Sequence, residues 1–226
     1  YDAILGLKPE EKDAYFLRGS AELELGDYES AKADFDQAIS MDPKNYDRLI
    51  EIYEALAAHG YREVGQEYLQ NVLDTAKQLD AYDSGRIYYY LGEYQKAYLA
   101  LDEARDKGGA DSYLYLGRAY AATGDYNYAS SVYNNYLSKQ GPNAEIYNEL
   151  GLCEMAKKEY QNALAAFQAG KQIEGNSLMQ TLCFNEIVAY EYLEDYQQAE
   201  VLMNAYLQNY PDDQTAIREQ QFLSTR

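Results

Sequence analysis

The residues able to do chemistry are few in this chain of 226 and poorly spaced for it. The single histidine, His59, stands just before Gly60, so neither a histidine metal cluster nor an HExxH zinc site can be assembled. That position reads as a solvated helix end. No GxxxxGK phosphate loop, GxGxxG turn or GxSxG elbow occurs, and Gly170-Lys171 has Ala165 where a phosphate loop needs glycine. The carboxylates never fall into a DxDxDG calcium loop. Adjacent acids such as Asp102 and Glu103 read as a solvated helix face, not an acid-base pair. Cys153 and Cys183 are too far apart for a CxxC motif and too few for a disulfide scaffold. The expectation is a noncatalytic protein with no cofactor and no metal.

Charge narrows the partners. With 19 Lys plus Arg against 38 Asp plus Glu, the formal charge is −19, and the basic residues form no stripe. Such a surface repels phosphate backbones and anionic headgroups, so nucleic acid is excluded as a partner class. Apolar runs such as Ala55 to Ala58 fall far short of the roughly 18 residues of a membrane span. Direct membrane insertion of this segment is excluded likewise. At 47% hydrophobic residues the composition is nonetheless that of a folding chain.

The elements that must position these residues are legible as a period. Gly117 and Gly151 are 34 residues apart, as are Ala129 and Ala163. Tyr113, Leu116, Gly117 and Tyr120 share one helical face; Gly124 and Asp125 make a turn; Tyr126, Ala129 and Tyr133 share the face of a second helix. Tyr147, Leu150, Gly151, Tyr160, Ala163 and Phe167 repeat this, with Glu154 in place of one aromatic. Earlier copies run through Tyr15, Gly19, Gly26, Tyr28, Ala31, Phe35 and Pro43, and through Gly85, Tyr88, Gly92, Tyr94, Ala97 and Leu101. Between Ala31 and Ala97 a further unit fits only if Tyr53 takes the Gly place and Gly65 the Ala place. From Ala163 to Ala199 the step is 36, which puts two extra residues near Gly175 to Leu178, and Ile187 takes the small place of the first helix.

This pattern of aromatic, Leu, Gly, aromatic, Ala, aromatic and Pro resembles the tetratricopeptide repeat, a 34-residue helix-turn-helix. The resemblance implies an all-α solenoid of about six such units in a right-handed superhelix, closed by a C-terminal capping helix. The expected units are 12–45, 46–77, 78–109, 110–143, 144–177 and 178–211, with a capping helix in 212–226, all in one solenoid domain 1–226. Tyr1, Asp2 and Pro9 lie 34 residues before Phe35, Asp36 and Pro43, so residues 1–11 are expected to be the end of an earlier unit.

In solenoids of this family the first helices line the concave side. On that side the frame places Phe16, Ile50, Tyr82, Tyr89, Tyr90, Leu114, Leu152, Met155, Phe184 and Tyr192, an apolar stripe suited to a ligand peptide. Arg86 and Arg118 share one place in neighbouring first helices and invite an anionic group; local pairing, with acids such as Asp83 and Asp111, is the equal alternative. The family's clamp for chaperone C-termini needs Lys and Asn where Phe16 and Ser20 stand, so that subtype is not expected. Cys153 and Cys183 differ by about six residues along consecutive first helices, roughly 9 Å of rise, and are expected as two buried free thiols.

The resemblance therefore implies a noncatalytic scaffold that holds a peptide segment or protein surface in its concave groove. The alternative is a structural module that associates with itself or packs with upstream repeats. The compartment is open: the opening on Tyr1 and the acidic, Tyr-rich composition incline toward a bacterial surface or secreted lipoprotein, with a cytoplasmic protein as the alternative.

Overall fold

The computed structural model describes residues 1–226 as fourteen helices with no strand. They fall into two compact units, Tyr1–Ala97 and Tyr98–Arg226. The first contains α1 (Asp2–Leu7), α2 (Lys12–Glu24), α3 (Tyr28–Met41), α4 (Tyr46–Ala58), α5 (Arg62–Thr75), α6 (Ala81–Tyr90) and the start of α7 (Tyr94–Asp106). The second contains the rest of α7, then α8 (Ser112–Ala122), α9 (Tyr126–Gln140), α10 (Ala144–Ala156), α11 (Tyr160–Lys171), α12 (Met179–Tyr192), α13 (Tyr196–Asn209) and α14 (Gln214–Leu223). The class is an all-α solenoid of helix-turn-helix units, in which helices adjacent in sequence pack as hairpins: α2 on α3, α4 on α5, α8 on α9, α10 on α11, α12 on α13.

One turn recurs six times and sets the frame. At Gly26, Gly60, Gly92 and Gly124 the backbone is left-handed, with φ of 79°, 88°, 78° and 84°. A left-handed residue ends a helix because its own N–H and that of the next residue can then turn back onto the last free carbonyls. Gly124 N–H accordingly bonds Ala121 O at 2.9 Å and Asp125 N–H bonds Tyr120 O at 3.0 Å. The Asp125 carboxylate then accepts from Tyr128 N–H and opens α9, so two residues close one helix and start the next. Asp27 and Asp195 do the same for α3 and α13. In the last two turns the left-handed residue is Lys158 (φ 64°) or Glu194 (φ 60°), with the same pair of hydrogen bonds.

Within each hairpin the small residue marks where two helices touch. A Cβ on Gly117 would lie 2.3 Å from the Tyr133 ring, and one on Gly151 2.3 Å from the Phe167 ring. Both rings are fully buried. In the divergent hairpin the partners are exchanged: Tyr53 stands on the first helix, and it is Gly65 of the second whose added Cβ would meet Tyr53 at 2.9 Å. The two extra residues of the last hairpin sit in the loop before α12, where Asn176 donates to Ile173 O at 2.6 Å and accepts from Leu178 N–H at 3.1 Å. Ile187 and Met203 are buried there, and α14 adds Ala216 and Leu223 to the same cluster. Glu154, in its aromatic place, is buried but accepts from Ser130 Oγ at 2.8 Å and from Lys157 at 2.7 Å.

Candidate functional site

In the first unit the groove candidates share the surface with ion pairs. Phe16 is half-buried beneath the Arg48 guanidinium, 4.0 Å from its ring centre, and Arg48 donates to Asp13 at 2.8 Å. Tyr82 lies 4.4 Å beneath Arg86 in the same way. Arg86 is only 6% exposed and donates from Nη1 to Asp47 and from Nη2 to Asp83, each at 2.5 Å. Burial acts to lower its pKa, but these two carboxylates outweigh it and raise it. Burial in turn raises the Asp83 carboxyl, against the pull of Arg86.

Ile50 is corrected outright. It is 4% exposed and belongs to the core cluster with Leu49, Tyr53, Leu69 and Ile87, so it lines no surface. The physical reason is that the neighbouring hairpin presses onto this part of α4 and uses the apolar side chain for packing.

Tyr89 and Tyr90 stand together at the C-terminal end of α6. With Tyr53, Tyr94, Glu54 and Arg62 they line a cleft of about 570 Å³. The Tyr89 and Tyr90 rings meet edge to face at 5.1 Å, Tyr53 and Tyr90 lie 5.2 Å apart, and Tyr89 and Tyr94 6.1 Å. Tyr90 O–H donates to Glu54 Oε1 at 2.6 Å. Sequence reasoning named two of these residues and missed Glu54, Arg62 and Tyr94. The available signal was that Glu54 holds the same place in its helix as Arg86 and Arg118.

In the second unit Leu114 is half-buried against the α9–α10 cluster, Met155 against the α11–α12 cluster. Leu152 is 43% and Tyr192 57% exposed, and the Tyr192 ring stacks on Tyr160 at 5.0 Å. Phe184 packs 5.8 Å from Tyr206 and borders a cleft of about 290 Å³ with Asn185 and Asp213. Arg118 donates to Glu149 Oε1 from Nε and Nη2, at 3.0 and 2.7 Å, and to Glu145 at 3.0 Å. Its acids come from the next first helix, α10, and not from Asp111. Both arginines, entertained above as receptors for an anionic group, thus already face two carboxylates each.

Cys153 and Cys183 are free thiols. Burial pushes Cys153 up to about 12. Cys183 departs from expectation: it is half-buried and borders a cleft of about 560 Å³ with Lys171 and Tyr206. His59 caps α4, its Nδ1 2.9 Å from Ala55 O and its Nε2 3.5 Å from Glu24. No group of three or more His, Cys, Asp or Glu side chains is arranged to hold a metal ion, and no helix is long and apolar enough to cross a membrane.

Comparison with known proteins agrees with this architecture. Two tetratricopeptide repeat family models match, one over residues 12–45 and the other over 82–129 and 116–176, together more than half of the chain. No curated protein sequence matches. Among solved structures, PilW, a widely conserved type IV pilus biogenesis factor, is similar at 17% identity with a TM-score of 0.64, covering 94% of this chain and 97% of that one. A thermophilic tetratricopeptide repeat protein of Thermus thermophilus is similar at 15% identity and a TM-score of 0.58, covering 95% of this chain and 100% of its own. YrrB, a TPR protein with an unusual peptide-binding site, is similar at 18% identity and a TM-score of 0.54, covering 83% and 97%. On the repeat frame, the helical hairpins and these matches, the chain belongs to the tetratricopeptide repeat family.

Proposed function

We propose that this chain is a noncatalytic scaffold whose first helices hold a peptide segment or protein surface. Family membership supports a protein-interaction role in general; the groove is our finer reading. The observation that carries it is the exposure of large apolar side chains on first helices of the second unit, Leu152 at 43% and Tyr192 at 57%. Water contact at such side chains is unfavourable by roughly 25 cal/mol per Å², which a partner's apolar anchors would relieve. The peptide-binding site of YrrB is a precedent on the same fold. The partner-facing residues are Phe16, Tyr82, Tyr89, Tyr90, Leu114, Leu152, Met155, Phe184 and Tyr192; Ile50 is left out because it is buried, and Arg86 and Arg118 because each already faces two carboxylates.

Peptides selected from a random display library on the full chain provide the test. Leu152→Asp combined with Tyr192→Ala should weaken the selected peptides at least tenfold. Val201→Asp, an equally exposed apolar site on the second helix α13, should leave them unchanged. Equal loss from both variants would place binding elsewhere. The self-association alternative predicts a rise in mass with concentration by light scattering, and the same Leu152 and Tyr192 variant should then leave a monomer.

A further inference from the structure

The tyrosine cleft at the ends of α4 and α6 has a chemistry of its own. Its walls are the rings of Tyr53, Tyr89, Tyr90 and Tyr94, inclined to one another by 58°, 70° and 53° in the neighbouring pairs, so they surround a space and do not stack into a plate. Ring faces are negative and attract cations placed within about 6 Å. The Glu54 carboxylate stands at the rim, fixed by the Tyr90 hydroxyl at 2.6 Å. Ala57, Ala58, Tyr89 and Tyr90, the last residues of α4 and α6, also line the cleft. Helix C-terminal ends carry a partial negative charge. The cleft already draws a cation of this chain: the Arg62 guanidinium lies 5.9 Å from the Tyr53 ring centre and donates to its oxygen at 2.7 Å.

From this arrangement we propose that the cleft receives the ammonium head of a lysine side chain carried by a partner polypeptide. The inference rests on the scaffold reading above and names what one of the partner's anchors would be. An anion is disfavoured by every group just named except Arg62. A purely apolar anchor would strip water from Glu54 and the tyrosine hydroxyls with no hydrogen bond in return. Lysine fits better than arginine because one carboxylate, with Oε1 already engaged, suits a compact point charge and not a bidentate fork. The chain's formal charge of −19 draws such a partner from a distance.

The test is an NMR titration of the full chain with a short peptide carrying one lysine, its Nε-acetylated form, and its norleucine counterpart. The lysine peptide should bind roughly three- to tenfold more tightly than either neutral form. Glu54→Gln and, separately, Tyr89→Leu should each remove that preference while helical content, read by circular dichroism, stays at the parent level. Equal binding of the three peptides, or a lysine preference that survives both substitutions, would overturn the proposal. Free n-butylammonium binding as tightly as the lysine peptide would also overturn it, by assigning the cleft to small amines. Because Leu152 and Tyr192 are untouched, failure here leaves the groove reading standing, and the two failures are told apart by which variants lose binding.

Discussion

Replacing Gly117 by alanine puts the packing account at risk in a measurable way. The new Cβ would sit 2.3 Å from Cε1 and Cζ of Tyr133, where comfortable carbon contacts begin near ~3.5 Å, so the ring must retreat by about 1 Å. Tyr133 is 0% exposed and has no room to do so without moving its neighbours Ile146 and Leu150. Overpacking of this kind costs about 1–3 kcal/mol, and the better helix propensity of alanine returns about 1 kcal/mol. The expected net loss is up to about 2 kcal/mol, and Gly151→Ala, facing Phe167 at 2.3 Å, should match it. Gly170 is the internal control in the same unit: its Cβ would meet Leu182 methyls at 3.0 and 3.1 Å, which can rotate away, and Tyr147 Cβ at 3.3 Å, which need yield only a few tenths of an ångström. Gly170→Ala should therefore change stability by less than about 0.5 kcal/mol. Urea unfolding followed by circular dichroism gives all three. Combining Gly117→Ala with Tyr133→Leu should cost less than the sum of the single changes, since the clash is removed with the ring. The reasoning fails if Gly117→Ala is no worse than Gly170→Ala, or if the pair is additive.

Three further outcomes follow from the same structure. Lys158→Gly and Glu194→Gly should each stabilise by about 0.5–1 kcal/mol in urea unfolding, because both replace a side chain at positive φ, while Gly124→Ala should cost a similar amount. Arg86→Met should cost about 2–3 kcal/mol, since it strands the shielded carboxylate of Asp83, while Asp47, 77% exposed, returns to water; adding Asp83→Asn should recover part of that in the same assay. Burial, and then the nearby Glu219 of α14, pushes Glu191 up to about 7 from 4.5. Folding then takes up a proton between those values, so stability falls as pH rises from about 4.5 to about 7 and stays reduced above. Thermal melts should show Glu191→Gln stabilising the chain at pH 8 by about 1 kcal/mol, after discounting for solvent screening, and having little effect at pH 4.

What the sequence made legible was contact between neighbours in the frame. That Gly117 and Tyr133 lie on the apolar faces of one hairpin, and that Tyr53 and Gly65 take the Gly and Ala places of the divergent one, could be read from helix spacing; which ring meets which glycine came from the structure. The turns at Gly26, Gly60, Gly92 and Gly124 could be read because glycine advertises positive φ; those at Lys158 and Glu194 could not, since the residue type there gives no such signal. Depth was not legible either. The frame puts Ile50, Tyr82 and Phe184 in one place of the first helix, yet only Ile50 is sealed into the core, because that depends on how closely the next hairpin approaches. The partners of Arg118 lie 27 and 31 residues away, on the next first helix, α10, where spacing within a helix says nothing.

Those arginine partners bear on what such a surface can select. Arg48 reaches from α4 to Asp13 on α2, Arg86 from α6 to Asp47 on α4, and Arg118 from α8 to Glu145 and Glu149 on α10. Within each unit the cations bind one first helix to the next, with tyrosine or phenylalanine beneath them, so their charge is spent inside the scaffold. Arg86 and Arg118 are each hydrogen-bonded to two acids, of which Asp83 and Glu149 are shielded from solvent, so those two contacts are screened by salt less than the ones to the exposed Asp47 and Glu145. Carboxylates such as Glu54 remain toward solvent beside half-exposed tyrosines. On the proposed lysine anchor, a face built this way discriminates by rejecting acids and rewarding cations with apolar stems, and lysine carries both parts in one side chain.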